Sequence, residues 1–124
     1  MESPFVGRWV ANLERSKRHP SNLFRRAYID ISVERDVLTL THAYIDENGR
    51  AEHGENELQV DGELHERANG YAVRAVWNGA RAFETTATKD GVVVGEGRYE
   101  VSEDESTLTI TAPDQLLVLE RRIA

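Results

Sequence analysis

The sequence predicts an all-β fold: an antiparallel up-and-down β-barrel of about eight to ten strands, with a two-sheet β-sandwich as the alternative. Three observations carry this expectation. Apolar and polar residues alternate along much of the chain, the two-residue period of a half-buried strand. Turn signals interrupt the alternation about every ten residues. Only residues 13–23, around Pro20, read as helix, and then as a short one. A meander of this length must close or split into two sheets, because exposed strand edges recruit other chains.

The totals narrow the function classes. A chain of 124 residues fits one domain, 1–124, long enough to bury a core without staples. A net charge of −7 repels phosphate backbones, so nucleic acid is not expected as a partner. The absence of cysteine excludes disulfides and thiolate metal sites. No apolar run reaches the roughly 18 residues of a membrane-spanning helix. Met1-Glu2-Ser3-Pro4 has neither the basic nor the apolar region of a secretory signal, so the expected location is the cytoplasm, with an exported form as the alternative.

Taken in order, "PFVGRWVANLERSK" at 4–17 opens the chain with a strand. Residues 27–34 alternate Ala27, Ile29, Ile31 and Val33 against Tyr28, Asp30, Ser32 and Glu34, and 37–45 continue in the same style. "DENG" at 46–49 is a turn. Asp61-Gly62, Asn78-Gly79 and Asp90-Gly91 are two-residue hairpin signals, since glycine accepts the positive φ such turns need. "EDES" at 103–106 and Pro113-Asp114 supply the last two turns.

Even-length turns assign faces, because residues paired across antiparallel strands point the same way. A turn at Arg35-Asp36 pairs Val33 with Leu38, Ile31 with Leu40, Ile29 with His42 and Ala27 with Tyr44, so His42 and Tyr44 face inward. From the C-terminal end, Leu108 and Ile110 pair with Leu119 and Leu117, and with Val101 and Tyr99; Arg121 shares their face. Carried through Asp90-Gly91, the same register puts Thr88, Thr86 and Glu84 inside, opposite Val93, Gly95 and Gly97. Carried through Asn78-Gly79, it adds Ala82, Ala75 and Val73. Polar groups beside glycines suggest a lined cavity; glycines that only permit strong coiling are the alternative.

Gly7-x-Trp9 in the first strand resembles the lipocalin (calycin) signature. With it, "GRWVANLERSK" at 7–17, "DENGR" at 46–50, "VDGE" at 60–63, "TTATKDGVVVGEGRYEVSEDESTLTIT" at 85–111 and "VLER" at 118–121 are similar to a bacterial lipocalin-like family of small, largely uncharacterised proteins. The resemblance implies a β-barrel that often encloses a small ligand, and no particular reaction. It assigns Trp9 to the closed end of the barrel, with Arg121 of the last strand across its ring, a cation–π contact. Gly7 makes room for this arrangement, and Asn12 with Ser16 fixes the chain as it leaves the strand.

Several residues are candidates for chemistry. His42, Tyr44, His53 and Glu55 share a face if the 46–49 turn is even, and two imidazoles with a carboxylate suit zinc. No dense ligand motif accompanies them, so neither metal nor cofactor is expected and His42 reads as a hydrogen-bonding cavity residue. An inward Glu84 requires a partner or a raised pKa, and serves as ligand anchor or general base. Tyr44 and Tyr99 are core aromatics or ligand contacts. Phe83 is expected outside, between Arg74 and Arg98. The basic stretch Arg15–Arg26, which includes His19, reads as a solvated cap; His65 is expected exposed.

The first functional reading is therefore non-catalytic binding of a small, mostly apolar or amphipathic molecule, with His42, Tyr44, Glu84, Thr86 and Tyr99 lining the site and Gly7, Trp9 and Arg121 closing one end. The second is a small isomerase- or hydrolase-like enzyme using Glu84 or His42 as acid/base. The third is a packed barrel that forms a homodimer through outer Phe83, Val76 and Val94.

Overall fold

The computed structural model describes residues 3–17, 24–113 and 115–122. Ten strands form one antiparallel sheet: β1 (Gly7–Ala11), β2 (Phe24–Glu34), β3 (Val37–Asp46), β4 (Ala51–Gln59), β5 (Leu64–Glu66), β6 (Tyr71–Trp77), β7 (Ala82–Lys89), β8 (Val92–Val101), β9 (Thr107–Ala112) and β10 (Gln115–Arg121). Each strand pairs with its sequence neighbours except β4 with β5, β1 pairs with β10, and the free edges fall at β4 and β5. These two edges are consecutive in the chain, so the sheet curls into a nearly closed barrel. The Gly62 amide donates to the Ala75 carbonyl, and Arg67 reaches from beyond β5 to the Glu57 carbonyl on β4. The expected up-and-down barrel is therefore present.

The expected helix is not formed over 13–17. Leu13–Arg15 turn instead, and Lys17 exchanges backbone hydrogen bonds with Leu116 at 2.6 and 2.7 Å. The Ser16 hydroxyl caps this turn: it donates to the Asn12 carbonyl at 2.7 Å and accepts from the Val118 amide at 2.9 Å. The rest of the expected helix, with Arg18, His19 and Pro20, lies outside the described residues.

The expected register holds over β2–β3 and over β8–β9–β10, where tight turns join alternating strands. A bulge at Arg25 interrupts the start of β2, before the alternating stretch, and three further irregularities change the register elsewhere. Ile45 pairs with Ala51 and Trp77 with Phe83, so both connections hold an odd number of residues; Gly49 and Gly79, at φ +84° and +82°, make these turns possible. The third is a β-bulge: Thr88 pairs with Val93 but Ala87 with Gly95, which leaves Val94 as an extra residue on β8. Each one-residue offset exchanges inner and outer faces. The bulge inverts β7, and the odd turn at 78–82 inverts it back, so Val73 and Ala75 face inward as expected. Ala82, which pairs with Glu100, does not.

One end of the barrel is solidly packed. Phe5, Trp9, Leu38, Phe83, Val101, Leu108 and Leu119 have no exposed surface there. Phe83 is the centre of an aromatic cluster, 5.1 Å from Phe5, 5.6 Å from Trp77 and 4.6 Å from Tyr99 between ring centroids. The Trp9 indole N–H donates to the Phe5 carbonyl at 2.9 Å, which locks the N-terminal segment into this end as a plug.

Candidate functional site

The inner face changes character away from the plug. Ala27, Ile29, His42, Tyr44, Val73, Thr85, Ala87, Tyr99, Ile110 and Leu117 all point inward by register, yet each keeps part of its surface uncovered. The inner face is thus fully packed at one end of the barrel and only partly covered toward the other. Small residues on β8 help make the room: Gly95 and Gly97 stand opposite Ala87 and Thr85.

Tyr99 marks the boundary between the two regions. Its ring stacks on buried Phe83 at an interplanar angle of 11°. Burial pushes its phenol above the usual value, so the hydroxyl stays neutral. Among the described residues that hydroxyl has no hydrogen-bond partner, and it keeps accessible surface. An unpaired hydroxyl that can still be reached is free to bond a bound molecule.

His42 is also inward, as expected. Its ring lies flat against the backbone of Gly54 on β4: a Cβ placed on Gly54 would come within 2.9 Å of the imidazole. Tyr44 stacks along the same strand, 6.4 Å from His42 at 14°. The imidazole nitrogens have no hydrogen-bond partner among the described residues. His42 and Tyr44 on β3 and Tyr99 on β8 thus all face inward by register.

Glu84 and Thr86 do not join them. The bulge at Val94 turns both outward, where Glu84 pairs with Arg98 at 3.2 Å with its side chain 56% exposed. Their places are taken by Phe83 and Thr85, and Phe83, expected outside, is fully buried. Thr85 is the inward polar residue the sequence reading missed. Its hydroxyl sits against Gly97, where an added Cβ would be only 3.0 Å away. The proposed company of His42 and Tyr44 with His53 and Glu55 also fails, because the odd turn at 46–50 sets His53 opposite Ala43 and Glu55 opposite Thr41 on the outer face. No group of three or more metal-ligating side chains occurs among the described residues. With Glu84 outside, the acid proposed for an enzymatic reaction is not in the barrel. His65, expected exposed, is half-buried and bonded to Asp61 at 2.8 Å.

The closing residues stand where the resemblance put them. Trp9 pairs with Arg121, whose guanidinium carbon lies 4.2 Å from the indole centroid. Gly7, at φ +135°, leaves the space that the Arg121 guanidinium fills. Asn12 takes part in the exit from β1 by accepting from the Arg15 amide and donating to Glu120 at 2.6 Å.

Comparison with known proteins places the fold. No family model matches the sequence, and no curated protein matches it. Solved structures do resemble it. The REP1-NXSQ fatty acid transporter superposes with a TM-score of 0.67 at 9% identity, over 97% of each chain. The wild-type fluorescent protein UnaG superposes at 0.66 with 16% identity, over 95% of this chain and 97% of its own. At such identities the likeness is one of fold alone, and it agrees with the β-barrel. No sequence match ties the chain to the bacterial lipocalin-like family. No helix among the described residues is long and apolar enough to cross a membrane.

Proposed function

We propose that the protein binds a small amphipathic molecule inside the barrel without transforming it. The observation that carries this reading is the Tyr99 hydroxyl, still accessible and without a hydrogen-bond partner among the described residues, on a partly uncovered, mostly apolar inner face. Thr85 and His42 add two more polar groups aimed inward, and aliphatic Ile29, Val73, Ile110 and Leu117 supply the apolar wall. The likeness to a fatty acid transporter supports a ligand of this general class.

The polar end of the ligand is read as uncharged. The positions across from Tyr99 are Phe83 and Ile110, and the next inward ones on those strands are Thr85, Leu108 and Ala87. None of these is a cation. Arg121, inward at the plug, is engaged by the carbonyls of Pro4, Val6 and Glu105. A carboxylate would enter this space without a counter-ion, which is costly; a hydroxyl or amide needs only the hydrogen bond Tyr99 offers.

Native mass spectrometry tests the reading on protein purified gently, then stripped and offered decan-1-ol or decanoate. The expected result is a one-to-one adduct lost on denaturation, with decan-1-ol favoured over decanoate at neutral pH. A bare chain that takes up neither compound overturns the reading.

A further inference from the structure

We propose that the outer surface of β1–β4 carries a second binding site, for an organic anion with an apolar body. A groove of about 890 Å³ crosses these strands, lined by outward Val10, Tyr28 and Ala43 and also by Ala27, His42 and Tyr44 of the inward set. Its outward part follows from the register. Val10 pairs with Tyr28, Tyr28 with Ala43, and Ala43 with His53, while the alternating neighbours Trp9, Ile29 and His42 face inward.

The floor of the groove is apolar and the rim is basic. Val10, 38% exposed, lies beside Tyr28 and Ala43. Four arginines line the groove, against the carboxylates of Asp30 and Glu52. Arg8 is already neutralised: it holds both Asp30 oxygens, at 2.7 and 2.9 Å, and lies 4.4 Å over the Tyr28 ring. That contact fixes the aromatic floor in place. Arg25, Arg26 and Arg122 are different. None makes a side-chain hydrogen bond or ion pair among the described residues. In a chain of net charge −7, three unpaired cations around one apolar floor form an isolated positive field.

That combination selects a ligand class. Guanidinium groups present paired donors that match carboxylate, sulfonate or phosphate oxygens. The floor rewards an apolar body, so a bare inorganic anion gains only half of what the groove offers. Arg26 lies four residues beyond Asp30 along β2, roughly 13 Å at strand spacing, which gives the body its length. The groove shares His42 and Tyr44 with the inner set, but its arginines and its Val10, Tyr28 and Ala43 floor lie on the outward face and Tyr99 does not line it.

Naphthalene-1-sulfonate is the probe, titrated into isotope-labelled full chain and followed by amide NMR. The expected result is saturable binding with shifts at Val10, Tyr28 and Ala43. Affinity falls at least tenfold in the Arg25→Glu/Arg26→Glu double variant, falls as sodium chloride rises, and is unchanged in Tyr99→Phe. Uncharged 1-naphthalenemethanol binds this face at least tenfold more weakly. Shifts centred on Ile29, Tyr99 and Ile110, an affinity indifferent to salt, or no saturation would overturn the proposal. The salt series uses the unaltered chain, so the test stands even if the double variant misfolds.

Discussion

Arg121 lies over the Trp9 indole, 4.2 Å from guanidinium carbon to ring centroid, and the same side chain donates to the carbonyls of Pro4, Val6 and Glu105. One residue therefore ties the N-terminal plug, β1, β10 and the 102–106 turn together. Replacing it with methionine keeps the bulk and removes both the cation–π contact and the donors. Arg121→Met is expected to lower unfolding free energy by about 2–4 kcal/mol. Arg121→Lys restores the charge but not the fork of donors, and recovers less than half of the loss. Urea denaturation of the three proteins measures this.

Gly7 and Arg121 are coupled. A Cβ on Gly7 would lie 2.7 Å from an Arg121 terminal nitrogen, and φ is +135°, so Gly7→Ala meets both a clash and backbone strain. The single change is expected to cost about 2–3 kcal/mol. In an Arg121→Met background the clash disappears and the strain remains, so the cost of Gly7→Ala shrinks without vanishing. A double-mutant cycle reads the difference.

The inner hydroxyls serve binding more than folding. The Tyr99 hydroxyl has no hydrogen-bond partner among the described residues, so Tyr99→Phe is expected to leave the thermal midpoint unchanged or raise it. Decan-1-ol affinity, in contrast, is expected to fall roughly fivefold to tenfold, the loss of one hydrogen bond. Thr85→Val weakens binding in the same direction, and Thr86→Val, one residue along on the outer face, does not. Calorimetric titration of the three variants separates the faces.

Acid stability has a local source in the 102–106 turn. Hydrogen bonds from the Ser102 and Ser106 hydroxyls, and then from the Ser106 amide, hold the Asp104 carboxyl down at about 2. A lowered folded-state pKa stabilises the fold above the unfolded value and loses that contribution as pH falls through the folded one. The contribution is thus complete above about pH 4 and disappears toward pH 2. Asp104→Asn is expected to destabilise the protein at pH 7 and to show a flatter stability profile between pH 4 and 2. Thermal melts across that range test the slope.

Much of this architecture is legible in the sequence. Alternation and turn spacing identify the barrel, and strands joined by tight even turns reveal their own faces, which is why His42, Tyr44 and Tyr99 are found inside. The Gly7-x-Trp9 pattern and Arg121 locate the plug. What escapes is a single extra residue. Nothing in "GVVVGEG" announces that Val94 is a bulge, because three consecutive valines suit a strand in any register. That residue exchanges Glu84 and Thr86 for Phe83 and Thr85, and so substitutes a phenylalanine core and a threonine for an acid. The glycine turns at 46–50 and 78–82 hide the same ambiguity: Asn-Gly marks a turn but does not count its residues. The partial signal was Phe83 itself, a large apolar residue that an outward assignment leaves in water.

The central claim, ligand binding on the inner face anchored by Tyr99, is tested most directly by titrating isotope-labelled protein with decan-1-ol and following amide shifts and contacts from the ligand chain to the Tyr99 ring. The account predicts saturable one-to-one binding, with shifts concentrated at Ile29, Thr85, Tyr99 and Ile110 and close contacts from the alcohol end to Tyr99. Shifts confined to outward positions such as Val10, Glu84 and Arg98, or no saturable binding at all, would contradict it.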